Sequence, residues 1–204
     1  MRRSGFLRVL AGLAVMATLS GCGGGDTPLV SYAPPSYDYL TKLRLNVATV
    51  DIDDSWAPRP ESHDLGMISP THPVDALRQM ARDRLVANGN TGHALFGIDE
   101  ASLVQVRDRY EGRMTIHLDI ASGDGSRTGY AEARVIRSRA IENDAPNATR
   151  AALNELVTQM MEDMNVELEF QIRRSLRSYL QKGAPAAPVP APVQQEDLPA
   201  LPKG

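Results

Sequence analysis

Cys22 is the residue whose surroundings specify a reaction most sharply. It is the single cysteine of the chain and closes the run Leu19-Ser20-Gly21-Cys22, with Gly23-Gly24-Gly25 after it. Ahead of it, Arg2, Arg3 and Arg8 make a positive start, and Val9 to Leu19 is an uncharged stretch of 11 residues. A membrane-spanning helix needs about 20 apolar residues to cross ~30 Å of hydrocarbon, so this stretch is too short to span. It fits the apolar core of a secretory signal peptide. One cysteine also excludes an intramolecular disulfide framework and a cysteine-rich zinc site.

Leu19-Ser20-Gly21-Cys22 resembles the lipobox of bacterial lipoproteins: an aliphatic residue, two small residues and cysteine. The resemblance implies cleavage before Cys22, a thioether-linked diacylglycerol on its sulfur, and acylation (palmitate or a similar chain) of its amine. It leaves no thiol for catalysis. Each buried CH₂ contributes roughly 0.8 kcal/mol, and one acyl chain alone holds only marginally, so two or three chains on one residue make a durable anchor. Gly23 stands where aspartate would favour inner-membrane retention in enteric bacteria, so the resemblance implies an outer-membrane address facing the periplasm. Loss of residues 1–21 removes three of the 22 basic side chains and leaves 19 against 25 acidic ones, a net charge of −6. The lipid, not a polybasic patch, must then hold the protein to the membrane.

Other groups of reactive side chains carry weaker patterns. Asp51, Asp53 and Asp54 gather at a strand end, and His63, Asp64 and His72 follow in a loop. Asp51 and Asp53 share a strand face and suit a hard cation, which makes a metal-assisted surface hydrolase using Asp51, Asp53 and His63 the alternative to a non-enzymatic protein. No HExxH, EF-hand, GxSxG, GxGxxG or P-loop pattern is present, and no catalytic residue, metal or cofactor is expected. Met160, Met161 and Met164 suit an adaptable groove, although core packing is the commoner use. A chain of 204 residues with net charge −3, 42% hydrophobic and 23% charged, allows one ordinary domain with appendages and argues against nucleic-acid binding.

The elements that would position these groups can be read from spacing. Residues 22–41, with Gly23 to Gly25, Pro28, Pro34 and Pro35, read as a lipidated tether. Residues 183–204 hold six prolines among Ala and Val and read as a disordered or polyproline tail. Between them, residues 42–182 make the single domain. Leu43 to Ile52 alternates as a strand, and Pro73 opens a helix expected over 73–88, capped by Thr71 or His72 and closed by Gly89. A strand from His93 to Arg107 carries a bulge near Asp99-Glu100. Asp124-Gly125 offers a two-residue type I′ hairpin turn that sets Met114 opposite Val135, Ile116 opposite Ala133, and His117 opposite Glu132. A slip by one residue would reverse the sorting of apolar and polar faces. From Asn147 to about Gln181, apolar residues at helical spacing predict one amphipathic helix of ~50 Å, capped by Asp144 or Asn147, with its last turns overhanging the domain.

The expected order is β-α-β-β-β-α, an α+β two-layer sandwich with an antiparallel meander packed against two helices. In the hairpin register, Arg107, Arg109, Arg113, Arg137 and Arg139 fall at one end of the sheet, where guanidinium forks suit phosphate, anionic lipid or lipopolysaccharide. Lipobox, tether and this topology together resemble small Gram-negative envelope lipoproteins: the auxiliary lipoproteins of ABC-type lipid transport and the lipopolysaccharide-assembly lipoprotein. That resemblance implies a non-enzymatic accessory or scaffold in envelope lipid transport or outer-membrane assembly, docked to an envelope protein complex. A purely structural envelope tether is a third reading.

Overall fold

A computed structural model describes residues 29–59 and 62–180. The signal segment 1–21, Cys22 and the tail 183–204 lie outside the described residues. The architecture is the expected α+β two-layer sandwich. One layer is a four-stranded sheet in the order β2-β4-β5-β6, made of β2 (Thr49–Asp53), β4 (His93–Val106), β5 (Arg109–Ala121) and β6 (Thr128–Ala140). The other layer is α1 (Pro73–Arg84) and α2 (Pro146–Ser175). In the four-stranded sheet, β2 runs parallel to β4, and the β4–β5 and β5–β6 pairings are antiparallel.

The β5–β6 ladder has the register the pattern predicts: Met114 pairs with Val135, Ile116 with Ala133, and His117 with Glu132. Ile116, Leu118 and Ala133 on the helix-facing side are buried, while Glu132 and Arg134 on the other are exposed. The bulge in β4 also falls where expected, between Ile98 and Glu100. The turn differs in kind. Only Gly125 has positive φ (67°), so a type I′ turn, which needs two such residues, does not form. Ser122 donates its N–H to Arg127 and accepts from Gly125, and the Asp124 carboxylate ties the loop by accepting from the Ser122 hydroxyl and from Ser126. Those hydrogen bonds hold the Asp124 carboxyl well below the usual carboxylate range.

The first strand and first helix are each shorter than their patterns suggest. The extended run from Leu43 divides into β1 (Leu43–Leu45), paired in parallel with β3 (Leu85–Ala87), and β2, paired with β4. Helix α1 begins at Pro73 after His72, without a side-chain cap, and stops at Arg84. Residues 85–87, expected as its last turn, are extended instead because pairing with β1 satisfies their backbone while Leu85 stays in the core. Gly89 is therefore not a helix cap. A Cβ there would stand 2.7 Å from the backbone of Asn46 and Val47, so glycine permits two chains to touch where β1 hands over to β2.

Helix α2 starts at Pro146 with Ala145 before it and no side-chain cap, so neither Asp144 nor Asn147 fills that role. It ends at Ser175 and turns tightly through Arg177–Tyr179. No overhang results: Ile172, Leu176 and Tyr179 are buried, and the Asn46 N–H donates to the Tyr179 carbonyl at 2.7 Å. Room for this comes from Gly129, where a Cβ would stand 2.5 Å from Leu176 and 2.8 Å from Tyr179. Met160, Met161 and Met164 are all buried in the core, and only Met161 also borders a surface cleft.

Candidate functional site

The solvent face of the sheet gathers the densest set of titratable groups. One row across it is Asp53, Gly97, His117 and Glu132. The His117 imidazole lies over Gly97, where a Cβ would come within 2.2 Å of the ring, so the missing side chain creates its seat. His117 Nδ1 meets the Asp99 carboxylate at 2.8 Å, and Nε2 stands 3.6 Å from Asp119. Tyr130 stacks on the ring at 6.0 Å between centroids and donates its hydroxyl to Glu132. That hydrogen bond, then burial, then the surrounding carboxylates raise the Tyr130 phenol above its ordinary pKa. Asp53 is held below the usual range, first by hydrogen bonds from Ser55 and in lesser part by the nearby His117. The bulge directs Asp99 toward His117, so the expected His117–Glu132 pairing persists in the ladder but not as a side-chain contact.

Beside this face, the loop after β2 lies along the part of β4 that β2 does not reach. Asp64 fastens it: one carboxylate oxygen accepts from Gly66 N–H at 2.7 Å and the other from Leu103 N–H at 2.8 Å. Leu65 N–H donates to the Leu103 carbonyl at 2.7 Å. Between loop and sheet is a cleft of about 600 Å³, lined by Trp56, Pro58, Arg59, Glu100, Val104 and Arg113 among others. Its charges are mixed, with Arg59 and Arg113 beside Asp99, Glu100 and Glu111.

The structure does not bring the five arginines into one site. Arg113 is on the solvent face and is held by Glu111 (2.6 Å). Arg137 and Arg139 project from the helix-facing side, where they pair with Asp163 (2.5 Å) and Glu155 (2.9 Å) of α2. Arg109 stands 3.8 Å from Asp108, and Arg107 occupies the β4–β5 turn at φ 57°. Alternation along the strands separates residues that lie close in register, and acidic neighbours on α2, distant in sequence, consume two of the cations. Because exposed ion pairs contribute little, Arg137→Ala with Arg139→Ala should leave the urea denaturation midpoint nearly unchanged.

The acidic and histidine-containing loop is likewise used internally. Asp54 pairs with Arg78, Asp53 accepts from Ser55, Asp64 holds backbone amides, and His72 precedes α1. Among the described residues, no group of three or more His, Cys, Asp or Glu side chains stands where it could hold a metal ion.

Sequence reasoning missed the polar centre of the helical layer. Arg84 is 1% exposed. Its guanidinium donates to the Thr41 carbonyl (3.0 Å), to Asn165 Oδ1 (2.9 Å) and to Glu169 (2.6 Å). Next to it, buried Asp83 accepts from the Tyr37 N–H at 2.8 Å, and the Lys42 ammonium donates to the Asp83 carbonyl at 2.6 Å. Burial, then the charges of Tyr39 and Asp83, raise the Tyr37 phenol pKa. Residues 29–37 have no regular secondary structure and residues 38–40 turn, with Leu40 N–H donating to the Tyr37 carbonyl at 3.0 Å, so the last part of the expected tether is fastened to the domain. A cleft of about 310 Å³ lies between Tyr32, Pro35 and Tyr39 and the α2 residues Val157, Met161 and Glu162.

No protein-family model and no curated protein matches the chain. Among solved structures it is similar to a Xanthomonas campestris protein of family DUF330, with 10% identity, TM-score 0.36 and coverage of 71% of this chain and 99% of that one. It is similar to the rare lipoprotein B of Shewanella oneidensis, with 9% identity, TM-score 0.36 and coverage of 62% and 95%. A minor lipoprotein from Acinetobacter baumannii gives 11% identity, TM-score 0.25 and coverage of 63% and 95%.

Proposed function

We propose that this protein is a lipid-anchored, non-enzymatic accessory of envelope lipid transport or outer-membrane assembly, facing the periplasm. The observation that carries the reading is Leu19-Ser20-Gly21-Cys22, preceded in order by a positive start and an 11-residue apolar run. The fold is compatible with it. Residues 30–37 run along α2, with Val30 N–H at Asn147 and Tyr37 N–H at Asp83, so the expected tether joins the domain on its helical layer. No helix among the described residues is long and apolar enough to cross a membrane. The mixed-charge cleft beneath the loop at Trp56, Arg59 and Arg113 offers a place for a protein partner or a lipid head.

Mass spectrometry of the native protein tests the anchor. The first mature residue should be Cys22 bearing a thioether diacylglycerol, and Cys22→Ala should abolish incorporation of labelled palmitate. A free thiol at Cys22, or an N-terminus elsewhere, would overturn the reading. For the transport role, capture of the intact lipoprotein from detergent-solubilised membranes should co-recover transporter subunits or lipopolysaccharide in stoichiometric amount. Recovery of the protein alone would remove that role and leave only the anchor.

A further inference from the structure

Strand β6 is the outer strand of the sheet, and over Thr128–Ala140 its far side pairs with no other strand among the described residues. The ladder with β5 shows which backbone groups this leaves. Ser122 N–H donates to Arg127 and Ile141 N–H to Asp108, so the hydrogen-bonded pairs are those of the even-numbered β5 residues. The N–H and C=O groups of Tyr130, Glu132, Arg134 and Ile136 therefore point to the free side. Their side chains stand on the solvent face, with Tyr130 52% and Ile136 57% exposed. Arg134 reaches Glu132 of its own strand only at 3.8 Å.

An edge of this length is an open template for another strand. We propose that the occupant is a second copy of this chain, with β6 pairing antiparallel to its counterpart about a two-fold axis at Ala133. In that register Glu132 of each copy faces Arg134 of the other, Tyr130 faces Ile136, and Thr128 faces Ser138. Both charges are matched and both exposed apolar side chains are covered. Moving the axis by one residue sets Glu132 against Glu132, or Arg134 against Arg134, and leaves Tyr130 and Ile136 without each other. Only the Ala133 axis sorts charge and apolarity together.

Helix α2 supplies a second observation. Its contacts run from Asp163 at Arg137 to Leu176 at Gly129, antiparallel to β6. Val166 and Phe170 fall between these points, and they are 73% and 53% exposed. Val166 borders the surface cleft formed with Arg134 and Ile136. Val166 and Phe170 thus add exposed apolar surface along the same outer edge as Tyr130 and Ile136. An axis through Ala133, normal to the sheet, keeps both helical layers on one side, so both copies could be anchored in one membrane.

Full-length protein purified in mild detergent should be dimeric by native mass spectrometry. Tyr130→Cys with Ile136→Cys should oxidise to a disulfide-linked dimer that on a denaturing gel reductant returns to monomer. Thr128→Cys alone, whose two copies stand far apart in this register, should not, and neither should the wild-type chain. Glu132→Arg should reduce the dimer at least tenfold, and adding Arg134→Glu should restore it. Monomeric wild type, equal crosslinking by Thr128→Cys, or no rescue by the double exchange would each overturn the proposal. If residues 183–204 of the same chain occupy the edge, the protein will be monomeric until they are deleted, which overturns it equally.

Discussion

Replacing Arg84 by alanine is expected to destabilise the domain by about 3–5 kcal/mol, the usual cost of breaking a buried ion pair by removing one partner. The side chain is 1% exposed and joins three separate segments: the end of α1, the Thr41 carbonyl and the Asn165–Glu169 stretch of α2. Alanine leaves the Thr41 carbonyl and Asn165 Oδ1 without this donor, leaves Glu169 with Arg173 alone, and opens a void between the helices. Against a typical total of about 5–15 kcal/mol, the loss is large enough to lower the urea midpoint sharply. Arg84→Lys keeps the charge but cannot reproduce the planar fork, so it should recover only part of the loss. A change below about 1 kcal/mol for Arg84→Ala would show that this centre contributes little.

The same cluster sets an acid dependence with a definite sign. Burial pushes the Glu169 carboxyl up, but hydrogen bonds and charges from Arg173 and Arg84 together outweigh it and bring it below its ordinary 4.5. A carboxyl depressed in the folded state stabilises it above the unfolded pKa and loses that contribution as pH falls through the folded one. Stability should therefore decline on acidification below about pH 5, and Glu169→Gln should flatten that limb. Unfolding curves from pH 7 down to pH 3 would test this; an unchanged slope in the variant would remove Glu169 as a contributor.

Gly89→Val carries the second large effect. A β-carbon at Gly89 meets backbone atoms of Asn46 and Val47 at 2.7 Å, and backbone cannot rotate out of the way as a side-chain tip can. Gly89 N–H also donates to the Val47 carbonyl at 2.9 Å, so separating the chains costs a hydrogen bond as well. Overpacking of this kind costs ~1–3 kcal/mol or more. Because the contact sets the exit of β3 against the junction of β1 and β2, hydrogen exchange should rise first at Leu43–Leu45 and Leu85–Ala87. Gly125→Ala is the contrast: its neighbourhood is open, so only its positive φ opposes the change. It should cost about 1 kcal/mol.

Local patterns were legible wherever one face of an element is buried along its length. The β5–β6 register could be read because apolar and polar residues alternate on both strands, so a single slip would bury Arg134 and expose Ile116. The β4 bulge and Pro73 as a helix start could be read for similar local reasons. The ends of elements could not. Leu85–Ala87 has the spacing of a helical turn and lies in a strand because β1 offers its backbone partners there. Arg84 sits on the flank of an apolar stripe, and nothing in its neighbours announces that Thr41, Asn165 and Glu169 converge on it from far along the chain.

The arginines show the same division. Their placement at one end of the hairpin followed from register, yet their pairing followed from α2, whose Glu155 and Asp163 arrive from another part of the sequence. By itself the sequence determined the alternation of faces, the order of the long strands and the two helices, and the cysteine motif at its start, because those depend on neighbours within a few positions. The tertiary structure alone decided which charges are consumed internally, where each element stops, and which strand keeps a free edge. Those outcomes depend on groups that meet only after the layers have packed.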